Sequence, residues 1–193
     1  ENISEIKSYL NEYNLITLKP VIYVCNVDEN SIIDGNKFSA SFKDHIKSNI
    51  ILISADIESQ IATLSNEEQS DFLSSLGLEE SGLNKIIREG YDTLNLITYF
   101  TSGEMESRAW TIEKNTLAPD AAGKIHTDFK SGFIRAETIS SEDFITCKGE
   151  TKARELGKLR SEGKEFDVQD GDVMYFLFND WMERQSISPK YQQ

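Results

Sequence analysis

The distribution of apolar and polar positions predicts an α/β arrangement in the first half of the chain. Two short, mostly apolar runs, Val21–Cys25 and Asn49–Ile53, are separated by Gly35–Lys47, where apolar residues recur at helical spacing. Continuous apolar runs of this length are typical of strands buried in a parallel sheet. Two more helical stretches follow, over 57–76, where Ser65 and Glu68 have the spacing of a capping box, and over 81–96.

The second half has a different pattern, which predicts a small mixed unit. Thr98–Thr101 and Ala109–Ile112 are rich in aromatic and β-branched residues and flank a turn at Gly103, as in a hairpin. Pro119 can open a helix, because its missing N–H is not needed in the first turn. Arg135–Ile139 then alternates like a half-buried strand. Hairpin, helix and strand in this order indicate a β-grasp, ubiquitin-like fold, so the whole chain is predicted to be α+β.

The same patterns predict which residues face a core. In the helices of the first half, the expected core residues recur every three or four positions: Phe38, Phe42, Ile46, Leu83, Ile86, Ile87, Tyr91 and Leu94. A strand–turn–strand is expected around Asp170-Gly171, with a buried last strand from Met174 to Phe178. The apolar face of the second half is expected to comprise Phe100, Trp110, Ile112, Ile125, Phe133, Ile139, Val173, Tyr175 and Leu177.

Composition excludes several classes of function. The 193 residues include 20 basic and 33 acidic side chains, giving a net charge of −13. Such a negative net charge argues against binding nucleic acid non-specifically through a broad basic surface. Cys25 and Cys147 stand apart from each other, and only two histidines occur, so neither a zinc site nor a disulfide framework is indicated. There is no apolar run near 18 residues and no signal peptide, which predicts a cytoplasmic protein without membrane partners.

Several long segments closely resemble the YchF/Obg-like ATPases. The resemblance is carried by 100–140 and 149–179, which are similar to the C-terminal TGS domain of that family, and upstream by Leu18–Glu29 and Gly77–Leu83. It implies three parts: residues 1–94 as the C-terminal part of the nucleotide-binding domain with the end of its helical arm, 95–179 as the TGS domain, and 180–193 as a tail. Family members carry an N-terminal phosphate-binding loop, and this chain is expected to begin past it.

The resemblance places a purine-base site after the first predicted strand. Asn26 stands where classical GTPases have the Asn of Asn-Lys-x-Asp, but Val27 replaces the Lys and Glu29 the guanine-clamping Asp. A Glu carboxylate lies one methylene further out, so the guanine clamp should be lost, and in the family this variation accompanies a preference for ATP. Asn26 and the main chain of Val27 are expected to face the adenine. The alternative is a simple turn that caps the next helix, since turn chemistry also favours Asn and Asp.

A second base-contacting loop is expected at Ser54-Ala55, after the second strand and before a helix. No phosphate-binding loop accompanies it in these residues. Gly77 and Gly82 have part of the required spacing, but Leu83 stands where a Lys must reach the phosphates. These glycines are therefore predicted to lie in a helix–helix connection. His126 and Asp128 have no accompanying nucleophile, so we expect a hydrogen-bonded turn or contact surface there, and no catalytic residue or metal ligand is predicted.

One basic run stands out against the acidic background. The segment 148–164 holds six cations and three Glu: the cations are Lys148, Lys152, Arg154, Lys158, Arg160 and Lys164. A single helix and the residues just after it would bring four of these cations close together: Lys152, Arg154, Lys158 and Arg160. The simpler interpretation is a solvated helix face with Glu–Lys pairs. The alternative is a phosphate-contacting patch, as the resemblance implies for a domain that docks on ribosomal RNA, and charge reversal there is expected to leave the fold intact.

The function predicted from the sequence is therefore that of a fragment. Its expected partners are a purine nucleotide, with ATP favoured over GTP, and the ribosome or its RNA. The intact family hydrolyses ATP with magnesium, which the phosphate-binding loop and its lysine make possible. By itself this chain is expected to be an inactive binding module that needs no cofactor. The alternative is part of an active ATPase when an N-terminal half is present. No feature of the sequence indicates an oligomeric state.

Overall fold

The computed structural model describes residues 9–10, 12–103 and 106–179. These residues belong to two compact units, which divide between Leu94 and Asn95. Each unit has its own sheet and its own buried cluster. The predicted end of the helical arm lies within residues 1–17, of which 1–8 and 11 are outside the described residues, and the predicted tail at 180–193 lies wholly outside them.

The first unit is built on a pair of parallel strands. Its two strands pair in register from Tyr23 opposite Ile50 to Asn26 opposite Ile53. Parallel neighbours need a crossover connection, and a helix provides it here, as the sequence predicts. The elements are β1 (Tyr23–Asn26), α1 (Lys37–Ile46), β2 (Ile50–Ile53), α2 (Ala55–Ile61), α3 (Asn66–Ser75) and α4 (Gly82–Thr93), with 3₁₀ turns at Ile16–Leu18 and Glu29–Ser31.

Polar side chains define the starts of two of these helices. The Asn36 side chain accepts hydrogen bonds from the N–H groups of Phe38 and Ser39, which caps α1. The capping box predicted at Ser65 and Glu68 is confirmed, because each side chain binds the other residue's backbone N–H. The Ser65 N–H and the Ser65 hydroxyl both donate to the Glu68 carboxylate, and these two bonds hold the pKa of Glu68 below its ordinary value.

The core of the first unit is small. Val27, Ile32, Ile57 and Ile61 are buried, and half-buried side chains of β2, α3 and the loop after α3 pack around them. The predicted core faces of α1 and α4 are wrong in part, since most of their apolar residues are exposed: Phe38, Phe42, Leu83, Ile87 and Leu94. A sheet of two strands is too narrow to cover these helix faces.

The second unit contains a five-stranded mixed sheet, in the order β4-β3-β7-β5-β6. Its last strand lies in the centre, parallel to β3 and antiparallel to β5. The elements are β3 (Leu96–Ser102), β4 (Ser107–Glu113), α5 (Ala118–Ile125), α6 (Thr127–Ser131), β5 (Phe133–Ser140), α7 (Ser141–Thr146), α8 (Glu150–Glu155), β6 (Arg160–Glu162) and β7 (Asp172–Phe178).

This topology confirms the predicted β-grasp order and the α+β class. The hairpin β3–β4 closes with Ser102 opposite Ser107, and Pro119 stands in the first turn of α5. The predicted third strand corresponds to β5 and the predicted last strand to β7. The strand expected before Asp170-Gly171 is not formed: the segment makes a turn, closed by the Asp172 N–H donating to the Gln169 carbonyl.

The core of the second unit lies between the sheet and α5. Three fully buried alanines, Ala118, Ala121 and Ala122, let the helix approach Tyr99, whose hydroxyl donates to the Ala121 carbonyl at 2.9 Å. Burial raises the pKa of the Tyr99 phenol.

Strand periodicity places five of the predicted core residues on the opposite face of the sheet: Phe100, Ile139, Val173, Tyr175 and Leu177. Successive side chains of a strand point to opposite faces, so Phe100, next to the buried Tyr99, lies on the other face of the sheet. Phe100 is 36% exposed and Tyr175, on the same face, is 60% exposed. That face is covered in part by a second cluster of Ile139, Cys147 and Ala153 with Phe144 and Leu159. Within the described residues, no helix is long and apolar enough to cross a membrane.

Candidate functional site

The loops that follow β1 and β2 come together at one edge of the small sheet. Asn26 ends β1 opposite Ile53, the last residue of β2, and the Val27 N–H donates to the Ile53 carbonyl at 2.8 Å. Open α/β sheets bind ligands at the carboxyl ends of their strands. The geometry therefore brings Asn26-Val27 and Ser54-Ala55, the two predicted base-contacting segments, to such an edge.

The Asn26 side chain is held in a fixed orientation. Its Oδ1 accepts a hydrogen bond from the Ala55 N–H at 3.0 Å, and the residue is exposed. An Asn amide has one acceptor oxygen and two N–H donors on its nitrogen. Because the oxygen is engaged by Ala55, the two Nδ2 hydrogens are the groups that remain to meet a ligand. The Ala55 N–H thus orients the Asn26 side chain.

Val27 and Ser54 are buried supports of this edge. Val27 is 8% exposed as a residue and its side chain belongs to the core of the first unit, so a ligand would meet its main chain and not its side chain. Since the Val27 N–H is already bonded, its carbonyl is the group available. Ser54 is fully buried, and its hydroxyl has no hydrogen-bond partner among the described residues.

Glu29 lies in the 3₁₀ turn after β1 and is tied to α2. Its Oε1 accepts from the Gln60 Nε2 at 2.8 Å, while both oxygens of the neighbouring Asp28 accept from the Ser31 hydroxyl. The sequence gives no sign of Gln60, because it lies 31 positions from Glu29 and belongs to no motif. The Gln60 contact uses one of the two carboxylate oxygens that a guanine clamp needs.

Glu58 is a second residue that sequence reasoning missed. Its Oε1 accepts from the Gly82 N–H at 2.6 Å and its Oε2 from the Leu83 N–H at 3.4 Å, at the start of α4. Ser81 caps the same helix by accepting from the Asn84 N–H. Gly77 thus lies in a helix–helix connection, as predicted, whereas Gly82 is the first residue of α4. The positive end of α4 is occupied by a carboxylate of its own unit.

Carboxylates neutralise half of the basic run in the second unit. The Arg154 guanidinium contacts Glu150 at 2.8 Å and Glu137 at 2.6 Å, and these two partners raise the pKa of the guanidinium. Lys158 contacts Asp143 at 3.3 Å. A hydrogen bond from Ser140, followed in size by the contact with Lys158, lowers the pKa of Asp143.

Arg160 is also paired, and its partner is buried. Its guanidinium lies 3.2 Å from the Asp172 carboxylate, which is 3% exposed. Reversing the charge of Arg160 or Arg154 would set acidic groups against each other, since Asp172 and Glu137 are both largely buried. For these two arginines, charge reversal is therefore expected to destabilise the fold rather than leave it intact.

Three lysines of the run remain unpaired in the part of the chain that the structure describes. Lys148, Lys152 and Lys164 are exposed and have no carboxylate within ion-pair distance there. The predicted helix is only six residues long, Glu150–Glu155, and of the six cations it carries Lys152 and Arg154.

The His126-Asp128 pair forms the predicted hydrogen-bonded turn. The His126 Nδ1 accepts from the Asp128 N–H at 3.3 Å and so caps α6. Across the described residues there is no group of three or more His, Cys, Asp or Glu side chains that could hold a metal ion.

Comparisons with known proteins agree with the resemblance. Residues 96–179 match the model of the YchF-GTPase_C family, described as "Protein of unknown function (DUF933)". The chain is 51% identical over 179 residues to the ribosome-binding ATPase YchF of Escherichia coli O157:H7, which covers 91% of this chain and 49% of the relative. It is 46% identical to the Bacillus subtilis protein of the same name, covering 93% of this chain and 50% of that protein.

A solved structure gives the same result at the level of the fold. The YchF GTPase of Schizosaccharomyces pombe superposes with a TM-score of 0.75 at 38% identity, over 87% of this chain and 46% of that one. The chain spans about half the length of the curated relatives it matches. It belongs to the YchF family and corresponds to the C-terminal half of those relatives.

Proposed function

We propose that this chain is the purine-base-recognising and ribosome-binding part of a YchF-type ATP-binding protein. The observation that carries the proposal is the hydrogen bond from the Ala55 N–H to the Asn26 Oδ1. It ties together the two loops that the resemblance assigns to the base, and it leaves the Nδ2 donors of Asn26 free.

The Asn26 amide suits the imidazole edge of a purine. Its Nδ2 hydrogens can donate to N7, which is an acceptor in both adenine and guanine. Asn26 would therefore select purines over pyrimidines and would not distinguish ATP from GTP. Discrimination between these two nucleotides must come from groups facing the six-membered ring.

Val27 and Glu29 favour adenine at that ring. The Val27 carbonyl can accept from the N6 amino group of adenine, whereas the O6 acceptor of guanine would repel it. The Glu29 carboxylate accepts from Gln60 of α2 at 2.8 Å, and this contact, together with the extra methylene of Glu, favours a position different from that of a guanine-clamping Asp. Both features support ATP as the ligand, with GTP as the weaker alternative.

The chain alone is proposed to be a binding module without catalysis. Phosphoryl transfer requires a phosphate-binding loop, its lysine and magnesium, and no such loop motif occurs in these 193 residues. The second candidate function is a share in ATP hydrolysis when an N-terminal half supplies those groups. Its support is that the relatives named ribosome-binding ATPases are about twice as long as this chain.

The second unit is proposed to be a TGS domain that contacts ribosomal RNA. The unpaired lysines Lys148, Lys152 and Lys164 are the cations of the basic run that remain to meet phosphates. Arg154, Lys158 and Arg160 are engaged with carboxylates, so we assign them to stability. A local cationic surface can bind RNA although the net charge of the chain is negative.

The base site is tested on the full chain by NMR titration with AMP and GMP, because weak binding is sufficient for this measurement. We expect AMP to shift the Asn26 Nδ2 and Val27 signals more than GMP does, and Asn26→Ala to abolish the effect. Asn49→Ala, an exposed Asn outside the site, is the matched control. No shift at millimolar AMP, or equal shifts in Asn26→Ala, would show that the base site is misplaced.

The ribosome contact is tested by co-sedimentation at several salt concentrations. The triple variant Lys148→Glu, Lys152→Glu and Lys164→Glu should reduce binding, and the residual binding of the unaltered chain should fall steeply with salt. Lys37→Glu, Lys43→Glu and Lys47→Glu in the first unit make the same change in net charge and serve as the control. Binding that is insensitive to salt and to the first triple would point to a protein partner.

A further inference from the structure

The second unit contains a cleft that neither the base site nor the basic run uses. It has a volume of about 410 Å³, within the range of sites that bind small organic ligands. Most of its lining is apolar or aromatic, with one cation, Arg108, and one carboxylate, Glu106. The apolar and aromatic part includes Trp110, Ile125, Phe129, Met174 and Phe178.

The cleft lies where two central strands separate. β3 and β7 share one backbone bridge in the described part of the sheet, between Phe100 and Val173. Beyond that bridge, Thr101 and Ser102 of β3 form one side of the cleft, and the residues of β7 from Met174 onward form the other. The sheet itself thus creates the opening.

Two of the aromatic groups are held in place by their neighbours. The Trp110 Nε1 donates to the Thr101 Oγ1 at 2.9 Å, which fixes the indole ring. Phe129 and Phe178 stack with centroids 3.9 Å apart and an angle of 23° between their planes. Rigid, pre-oriented rings lose little conformational entropy when a flat ligand stacks on them.

Arg108 adds a planar cation to this aromatic wall. Its guanidinium carbon lies 4.7 Å from the Trp110 ring centroid, a cation–π distance. Among the described residues, no carboxylate lies within ion-pair distance of Arg108, unlike Arg154 and Arg160. The charge of Arg108 and the outer face of its guanidinium therefore remain available to a ligand.

From these features we propose that the cleft binds one unpaired nucleotide of a single-stranded RNA. Unstacked bases are bound in proteins by stacking on aromatic rings and on arginine guanidinium planes. In this cleft the base stacks against the Trp110–Arg108 pair, the Arg108 charge faces the adjoining phosphate, and the hydroxyls of Thr101 and Ser102 line the mouth. The biological role rests on the proposed ribosome association, of which this would be one contact.

An extended peptide is the competing occupant. Beyond Val173, the described part of β7 pairs only with β5, so a peptide strand could add to its other edge. We favour the nucleotide because strand addition would not require a free arginine stacked on a ring. The experiment includes both ligands.

Fluorescence of Trp110 gives a direct measure of occupancy. The chain has two tryptophans, so Trp181→Phe leaves Trp110 as the sole reporter in the full-length chain. This variant is titrated with a single-stranded RNA hexamer of mixed sequence, the same hexamer as a duplex, and a peptide of alternating Glu and Val. We expect saturable quenching by the single strand, and at least about tenfold weaker binding after Arg108→Gln.

The controls separate this cleft from the other proposed sites. Lys124→Gln, which removes an exposed cation of α5, and Asn26→Ala in the base site should leave the quenching unchanged. Absence of quenching, equal binding of duplex and single strand, quenching by the peptide alone, or normal RNA affinity in Arg108→Gln would each overturn the proposal. Because the test uses free RNA, its failure is distinct from a failure of ribosome co-sedimentation.

Discussion

At the scale of single residues, close contacts leave little room at the start of α4. A Cβ added at Gly82 would lie 2.7 Å from the Ile53 Cγ2 and 2.9 Å from the Glu58 Oε1. The first atom belongs to a β-branched side chain near the backbone of β2 and cannot easily move. Glycine is therefore required here by packing, beside the carboxylate that binds its N–H.

We expect Gly82→Ala to destabilise the chain by about 1–3 kcal/mol through overpacking. Gly90→Ala on the same helix is the matched control, because no atom lies within 4 Å of its added Cβ. That control should stabilise by about 0.5–1 kcal/mol, since alanine loses less backbone entropy in a helix. Thermal unfolding monitored by circular dichroism measures both changes, and equal effects of the two substitutions would contradict the close packing at Gly82.

Single residues are also where sequence reasoning was least successful. Asn26 and Glu29 could be singled out because they follow a predicted strand in a familiar order. Gln60 and Glu58, which fix Glu29 and the start of α4, carry no local signal, because their partners lie 24 or more positions away. The pairing of Arg160 with the buried Asp172, 12 positions along the chain, follows no local pattern either.

At the scale of elements, buried charge connects β6 to the start of β7. The Asp172 carboxylate accepts from the Gln169 N–H at 3.0 Å and from the Arg160 guanidinium at 3.2 Å. Burial nevertheless raises the pKa of Asp172, and these two partners offset only part of that effect. The folded chain therefore holds a proton at Asp172 more tightly than the unfolded chain does.

This predicts a pH dependence of definite sign. A carboxyl whose pKa is raised by folding costs stability when ionised, so its contribution improves as pH falls through the raised pKa. The stability of the unaltered chain relative to Asp172→Asn should therefore increase on acidification. Unfolding by urea at a series of pH values measures this difference. Glu142→Gln makes the same carboxylate-to-amide change at an exposed position on α7 and serves as the control for the general effect of pH on stability. A difference between the unaltered chain and Asp172→Asn that decreases on acidification would contradict the prediction.

Elements with local signals were predicted well. The hairpin β3–β4, the helix opened by Pro119 and the Ser65 capping box depend on residues close together in the chain, so their patterns suffice. The separation of β3 from β7 beyond Val173 has no such pattern. It depends on long-range packing, and the cleft that it creates could not be found from the sequence.

At the scale of the whole molecule, the two units differ in how completely they bury their apolar residues. The second unit has a five-stranded sheet with three fully buried alanines of α5 against it. The first unit has a two-stranded sheet, and apolar side chains such as Phe38 and Ile33 are 72% and 60% exposed. A two-stranded sheet is marginal in water unless other elements cover it.

We therefore expect residues 95–179 to fold as an independent unit and residues 1–94 to be unstable when expressed alone. The fragment 95–179 should unfold in one cooperative thermal transition, because about 85 residues with buried clusters on both faces of one sheet suffice for a small domain. The fragment 1–94 should show no cooperative transition and should bind a hydrophobic dye, as chains without fixed packing do. The full chain, heated under the same conditions, is the reference. A cooperative transition in fragment 1–94 would mean that its small core around Val27 and Ile57 is sufficient, and its absence in fragment 95–179 would mean that the second unit depends on the first.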